Sequence, residues 1–536
     1  MATNLPELRQ HIAQYFDFDT LKAFSLVCKA WYHDARPLLW KHFSCKISRE
    51  CSSSPEEYAL WLDTIRRNAN SFRHICYNYS HFKPVASEIC NLLLDQCHGL
   101  VTIGGNVTMT DAQDPSPYWK ATLMPLIKQN RVSLQRLQLR VATGLSNRSL
   151  KLRTLVANLP CLRSLELGAL EMTLEDLLLI LDACPDSLEC LELLSYLGRR
   201  KNLDQGDSVS QLHHSSTSMA MCLRLKHLRI RDGCDDGILE DLLSRLAAHS
   251  LEELQLDAVF PLPTIPILQN ALWRLTHLHL SYMFPSADLI LPALLDAIHP
   301  HQLRSVHLSD MDTECTAKLI EKQHQSLSSL NVTFEQGHTG ALGDILATCG
   351  KLKRLSFSAD PFVDVRILID PQKPWVCTEL ETFEGHFGLF TSSIPQQHPL
   401  SVVSPLLALP LGPPSCFYSL FKENDEHERK TEDLFMRRLG QLTKLRFVHR
   451  QCDKRSMNTM KWSLASGLNH LNGLANLQTL KYDEILPKGI GIHEMMFIKQ
   501  HWHSLQEVVC HALNSTTEEW LVTNWPRLKV TMTPMK

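Results

Sequence analysis

The chain has 536 residues, is 44% hydrophobic, and sets 54 Lys and Arg against 57 Asp and Glu, a net charge of −3 with His neutral. That length suits several domains or one extended repeat array, and so balanced and scattered a charge excludes the basic field of a nucleic-acid binder. Its 17 cysteines include no Cys-x-x-Cys pair and no Cys and His set at zinc-finger spacing, which excludes a disulfide framework and a structural zinc site.

Reduced, mostly buried thiols fit the cytoplasm and/or the nucleus. Glu7 and Arg9 stand where a signal peptide would be apolar, and the longest apolar stretch, Val402 to Leu411, is broken by Pro405 and Pro410. A soluble, unexported chain with no membrane partner is expected.

The first forty residues carry a framework of Leu5, Pro6, Ile12, Phe16, Leu21, Leu26, Val27, Cys28, Trp31 and Trp40. So dense an apolar set exceeds what a segment this short can bury alone. Leu8, Ile12 and Phe16 repeat at helical spacing, Asp19 is placed to cap a helix presenting Leu21, Phe24, Val27, Cys28 and Trp31, and Pro37 is placed to open a short turn carrying Leu38, Leu39 and Trp40. Three short helices with unpartnered apolar stripes are predicted.

The run from Leu5-Pro6-Glu7 through Leu26-Val27-Cys28-Lys29-Ala30-Trp31 to Leu39-Trp40 resembles the F-box. The resemblance covers about forty residues; Phe18 stands where many members have proline. It implies docking on a Skp-type adaptor, which hangs from a cullin scaffold carrying a RING subunit and a ubiquitin-charged enzyme. The family member is a substrate receptor and no catalyst. By the resemblance Leu5, Pro6, Ile12, Phe16 and Leu21 face the adaptor. Leu26, Val27, Cys28, Trp31 and Trp40 form the F-box core, with the two tryptophans fixing the module to the next domain. The alternative is a helical cap on a leucine-rich-repeat scaffold without ligase function.

Ser54-Pro55-Glu56-Glu57 has an N-cap, a proline at the first helical position and a glutamate to close a capping box, so a helix is predicted from about Pro55 towards Asn68. Beyond it one pattern, Leu-x-x-Leu-x-Leu, returns along the chain. Clear copies begin at Leu134, Leu162, Leu188, Leu225, Leu251, Leu275, Leu303, Leu327, Leu352 and Leu477, and degenerate ones at Phe72, Leu100, Leu380, Leu445 and Leu505. From Leu225 to Leu380 successive starts advance by 24 to 28 residues.

The last two apolar positions alternate with polar ones, the period of a strand with one face buried. The residues between copies, as in Leu174, Leu177, Leu178 and Leu181, have helical spacing. A strand and a helix in every repeat of this length resemble the irregular, cysteine-containing leucine-rich repeat, with Cys97, Cys184 and Cys349 each closing a helix just before a strand. No copy buries enough to fold alone, so copies must stack.

The predicted fold is α/β: a leucine-rich-repeat solenoid, a horseshoe with a parallel inner sheet and outer helices, preceded by a small all-helical F-box. The domains are 1–48, the F-box; 49–130, a linking helix and degenerate first repeats; 131–388, leucine-rich repeats; 389–424, a Pro- and Ser-rich insertion; and 425–536, C-terminal repeats and a cap. A second insertion, Ser-, His- and charge-rich, spans Gly198 to Ser218, and a charged helix is expected from about Glu426 to Leu439.

The residue between the last two apolar positions points to the inner face. Arg229, Arg231, Gln255, Asp257, His279 and His307 are the candidate target-binding residues, the arginines being suited to carboxylate or phosphate oxygens. His279 and His307 fall in equivalent slots of neighbouring copies but lack further ligands, so no metal site is expected. His493-Glu494-Met495-Met496-Phe497 begins like a zinc-protease signature and lacks the second histidine. No catalytic residue, cofactor or nucleic-acid partner is expected; the partners are a Skp-type adaptor, through it a cullin-RING ligase, and a protein target.

Overall fold

The leucine pattern becomes short parallel strands. In Cys190–Leu193, His227–Ile230 and Glu253–Leu256 half-buried and buried side chains alternate, as a pleated strand with one face on the core requires. The first leucine of each copy, such as Leu134, Leu162 and Leu225, is buried too, where the chain turns into the strand. The computed structural model describes residues 6–45, 55–79, 85–107, 123–141, 149–169, 172–194, 197–198, 224–231, 238–244, 246, 250–257, 265–281, 287–334, 338–359, 363–389, 415–451, 463–482, 490–510, 513 and 515–532.

Two units, Met1–Arg274 and Leu275–Lys536, each hold their own stack. The first opens with α1 (Pro6–Ala13), α2 (Phe18–Ser25) and α3 (Lys29–Leu39), then β1 (His42–Cys45), α4 (Pro55–Asn68) and β2 (His74–Tyr79). There follow β3 (Thr102–Val107), β4 (Arg136–Val141), β5 (Ser164–Ala169), β6 (Cys190–Leu193), β7 (His227–Ile230) and β8 (Glu253–Leu256). Each strand pairs in parallel with the next, so His42, His74, Thr102, Arg136, Ser164, Cys190, His227 and Glu253 form one row. Helices such as Val85–Gln96, Ser149–Val156 and Leu174–Leu181 carry the chain back between strands, the crossover that parallel pairing demands.

The second unit repeats the plan with β9 (His277–Leu280), β10 (Ser305–Met311), β11 (Ser329–Phe334), β12 (Arg354–Ala359) and β13 (Thr382–Gly388). It continues through β14 (Phe447–Gln451), β15 (Thr479–Tyr482), β16 (Glu507–Cys510) and β17 (Lys529–Met532), again all parallel and paired in sequence order. Both units are leucine-rich-repeat stacks, and the fold is the α/β solenoid the periodicity predicts.

β1 and β17 are strands absent from the leucine pattern. Each has a single clear apolar anchor facing inward, Phe43 in β1 and Val530 in β17, which is too little for the pattern to register. Helix α4 spans the predicted residues. The helix expected from Glu426 is longer, Ser415–Gly440, and buries Phe435, Met436 and Leu439. Arg438 from this helix donates to the carbonyls of Leu368, Lys373 and Asp370. Residues 199–223, which hold all but Gly198 of the first predicted insertion, and 390–414 of the second lie outside the described residues, while 415–424 of the second belong to the helix Ser415–Gly440.

Neighbouring repeats are stitched by buried amides. The Asn130 side chain accepts the Leu100 N–H at 2.8 Å and donates to the carbonyls of Cys97 and Leu126. Gln323 does the same further on, its Oε1 accepting from the N–H groups of Gln302 and Leu303 and its Nε2 donating to the His299 carbonyl. These bonds satisfy backbone groups that a buried turn leaves open. The predicted cysteines Cys97, Cys184 and Cys349 are buried, and burial pushes the Cys97 and Cys184 thiols up to about 12, which keeps them protonated and unreactive.

Candidate functional site

The amino-terminal helices differ from the sequence prediction at their joints. The cap of α2 is Asp17, whose carboxylate accepts the Thr20 N–H at 2.7 Å, and the predicted cap, Asp19, sits in the first turn. The helix expected to run through Trp31 stops at Ser25 and restarts at Lys29. That break rotates the following residues off the stripe. Pro37 lies inside α3, in its last turn, instead of opening a separate turn, and it supplies no N–H for the His33 carbonyl four residues before it.

The break decides which side chains are buried. Leu21, expected on the adaptor face, is 7% exposed and joins Ala13 and Ala35 in a small core flanked by Phe16, Leu38 and Leu39. Leu26 and Val27, expected in the core, are 81% and 66% exposed, because they fall in the turn between α2 and α3. Cys28 is exposed as well, at the N-cap of α3 in extended backbone. These three correct the predicted core, and Leu21 corrects the predicted face. Ile12 is half-buried, Leu5 lies outside the described residues, and Pro6 opens α1.

Further apolar side chains of the module stand in water: Tyr15 at 77% and Phe18 at 63%, with Leu8 and Tyr32 less exposed. Tyr15 and Phe18 follow the end of α1, off the Leu8, Ile12, Phe16 stripe, which is why periodicity passes over them. Within the module Phe16 packs on Phe24 at 4.5 Å and Phe24 on Trp31 at 4.7 Å between ring centroids. A buried ion pair, Arg9 Nε to Asp34 at 2.5 Å, ties α1 to α3, with the guanidinium 5.9 Å from the Trp31 ring.

The module joins the strand stack without a spacer. Only Trp40 and Lys41 separate α3 from β1, and the Lys41 carbonyl accepts the N–H groups of Arg73 and His74 at the start of β2. Trp40 and Phe43 both stack on Phe72, at 6.3 and 4.7 Å, while Arg36 Nε donates to Asn68 at 2.6 Å and its Nη2 to the Arg67 carbonyl. Trp40 therefore sits at the junction with the strand stack, and Trp31 packs inside the helical module. His42 and His74 stack at 4.2 Å. Burial first, then the charges of His42, Lys41 and Arg136, push His74 down to about 4.

On the strand face of the first unit the predicted cations meet acids of the same sheet. Arg229 Nη2 reaches Glu253 at 2.8 Å, His227 the same carboxylate at 2.9 Å, and Arg231 Nη2 reaches Glu192 at 2.7 Å. Although burial pushes the Glu253 carboxyl up, the hydrogen bonds and charge of Arg229 and His227 hold it below the usual carboxylate range. Gln255 donates to Asp257 at 2.9 Å. On neighbouring strands Glu166 accepts from Gln138 at 2.6 Å and from Arg140 at 2.8 Å. These residues form a cross-strand lattice in which each arginine is already held in its fork.

In the second unit His279 and His307 occupy paired positions of β9 and β10 and stack at 3.9 Å. His279 Nε2 lies 2.7 Å from the Ser281 hydroxyl, and His307 Nδ1 2.8 Å from the Asn331 amide. Ring nitrogens engaged in this way do not converge on a common point, and among the described residues no three His, Cys, Asp or Glu are grouped to hold a metal ion. No helix among them is long and apolar enough to cross a membrane.

No family model matches the chain, and no curated protein matches it either. One similar solved structure is the crystal structure of the Rad7 and Elc1 complex in yeast. The TM-score is 0.37 at 14% sequence identity, over 76% of this chain and 82% of that one. The leucine-rich-repeat fold rests on the strand register and the buried leucines of each copy.

Proposed function

We propose that the chain is the substrate-recognition subunit of a cullin-RING ubiquitin ligase, its amino-terminal helices docking a Skp-type adaptor and its repeats receiving a target protein. The observation that carries this reading is the apolar surplus of the helical module. Among its described residues Ala13, Leu21 and Ala35 are the buried apolar core, with Phe16, Leu38 and Leu39 packed against it, while Tyr15, Phe18, Leu26 and Val27 remain largely in water. Covering such side chains contributes about 1.5–3 kcal/mol for each large one, which a docked partner supplies and the free chain does not.

The spacer-free joint at Trp40, Phe43 and Phe72 suits this role. A receptor must hold its cargo at a set distance from the ubiquitin donor, and a floppy tether spreads that distance. The subunit itself performs no chemistry in this reading, needs no cofactor, and offers its strand face, including Arg229, Arg231, Gln255 and Asp257 in one unit and His279 and His307 in the other, as target-binding surface.

Purified full-length chain mixed with a purified Skp-type adaptor and run on a sizing column tests the reading. A complex of one copy of each is expected. Separate elution of the two at micromolar concentration contradicts it and leaves a repeat scaffold capped by three helices.

A further inference from the structure

In the second unit, the residue before each strand accepts through its carbonyl the two N–H groups that open the next strand. Thr276, Arg304, Ser328, Lys353, Glu381 and Arg446 are linked in this way. They therefore stand in a row at successive strand spacings of about 4.8 Å, and Arg304 lies four spacings, on the order of 19 Å, from Arg446.

This rim is crowded with cations. Arg304, Lys353 and Arg446 lie in the row itself, Lys351 and Arg354 flank Lys353, and Lys444 precedes Arg446; all six are exposed. The two acids among them, Glu379 and Glu381, are both taken from one side: Lys444 holds Glu379 at 2.5 Å and Arg446 approaches Glu381 at 3.9 Å. Arg304, Lys351, Lys353 and Arg354 have no ion-pair partner among the described residues. Between Arg304 and Lys353 the intervening strand offers only the neutral hydroxyls of Ser328 and Ser329.

At two other places on these sheets such a cation stands beside a carboxylate. Lys226, in the matching row of the first unit, meets Glu189 at 2.9 Å, and Lys529 meets Glu507 at 2.7 Å. Like charges fixed within about 10 Å of one another repel at ordinary salt, and an anion lying across them removes that repulsion.

We infer that this rim binds an extended acidic segment of a protein, with anionic side-chain oxygens seated against Arg304, Lys353 and Arg354. The inference rests on the reading of the strand stack as the surface that receives a protein. A strand-like segment presents alternate side chains about 6.8 Å apart on one face, so roughly six residues span the rim from Arg304 to Arg446.

The test uses full-length chain and three fluorescein-labelled probes of equal length: octaglutamate, a peptide alternating phosphoserine and glycine, and an eight-nucleotide single-stranded DNA. Anisotropy is expected to show binding of an acidic peptide that weakens with salt. The triple variant Arg304→Gln, Lys353→Gln, Arg354→Gln should lose tenfold or more, while Lys226→Gln on the other unit changes nothing. Whichever peptide binds more tightly identifies carboxylate or phosphate as the source of the anion. No binding of either peptide, equal binding by the triple variant, or tighter binding of the DNA overturns the inference. Adaptor capture by the same proteins separates the two claims: a chain that holds the adaptor but no acidic peptide sinks only the rim, and one that binds peptide but no adaptor sinks only the ligase reading.

Discussion

The amino-terminal helices and the strand stack behind them, both within the first unit, treat the same residue types in opposite ways. In the stack every leucine of the repeat pattern points inward: Leu134, Leu137, Leu139, Leu162, Leu165 and Leu167 are all buried. In the helical module the large apolar side chains at Tyr15, Phe18, Leu26 and Val27 point out, and a core of two alanines and one leucine remains. A stack gains burial from each neighbour and is complete within the chain. Among the described residues the three short helices show no such neighbour over these side chains, and in the proposed reading that apolar surplus is where the adaptor docks.

The contrast is broken most sharply by substitutions that should act on one region alone. Leu165→Ala empties a fully buried site in β5 and is expected to cost about 2–5 kcal/mol of unfolding free energy, read by denaturant titration, while an adaptor still binds the folded fraction. The pair Leu26→Asp and Val27→Asp should do the reverse. Adaptor binding is expected to fall by about 2 kcal/mol or more, roughly thirtyfold, with unfolding changed by no more than about 0.5 kcal/mol, as for other exposed sites. Comparable loss of stability in both variants would erase the distinction.

Smaller effects sharpen the picture of the strand face. Glu166 is buried and serves both Gln138 and Arg140, so Glu166→Ala should destabilise by about 1–3 kcal/mol, and Arg140→Ala, which removes an exposed partner, by less. A further effect is one of pH. Because His74 is held at about 4 in the folded chain and at its ordinary value when unfolded, the unfolded chain binds the extra proton between these values. Stability should therefore fall as pH drops from about 6.5 towards 4. His74→Asn should flatten that slope in thermal melts across the same range; an unchanged slope would place its origin elsewhere.

How much of this was legible beforehand differs between the same two regions. Strands with one buried face repeat every two residues, and the leucines announced them because packing there is local and periodic. β1 and β17 escaped notice, since an end strand needs fewer apolar anchors. Among the amino-terminal helices the period misled. A continuous stripe from Leu21 through Trp31 looks like one helix, yet the chain breaks at Leu26 and turns Val27 and Cys28 to solvent. Periodicity cannot register a break whose residues keep an apolar character. The arginines of the strand face were read as target-binding residues, but their glutamate partners sit on neighbouring strands, 24 residues away for Arg229 and Glu253, and only register brings them together.

Footprinting by hydroxyl radicals and mass spectrometry, on the full-length chain with and without a Skp-type adaptor, tests the central claim most directly. The account predicts protection of Tyr15, Phe18, Leu26 and Val27, with no change at Val132 or Val522, which are equally open in the free chain. Unaltered labelling of the four amino-terminal residues in the presence of saturating adaptor would contradict it.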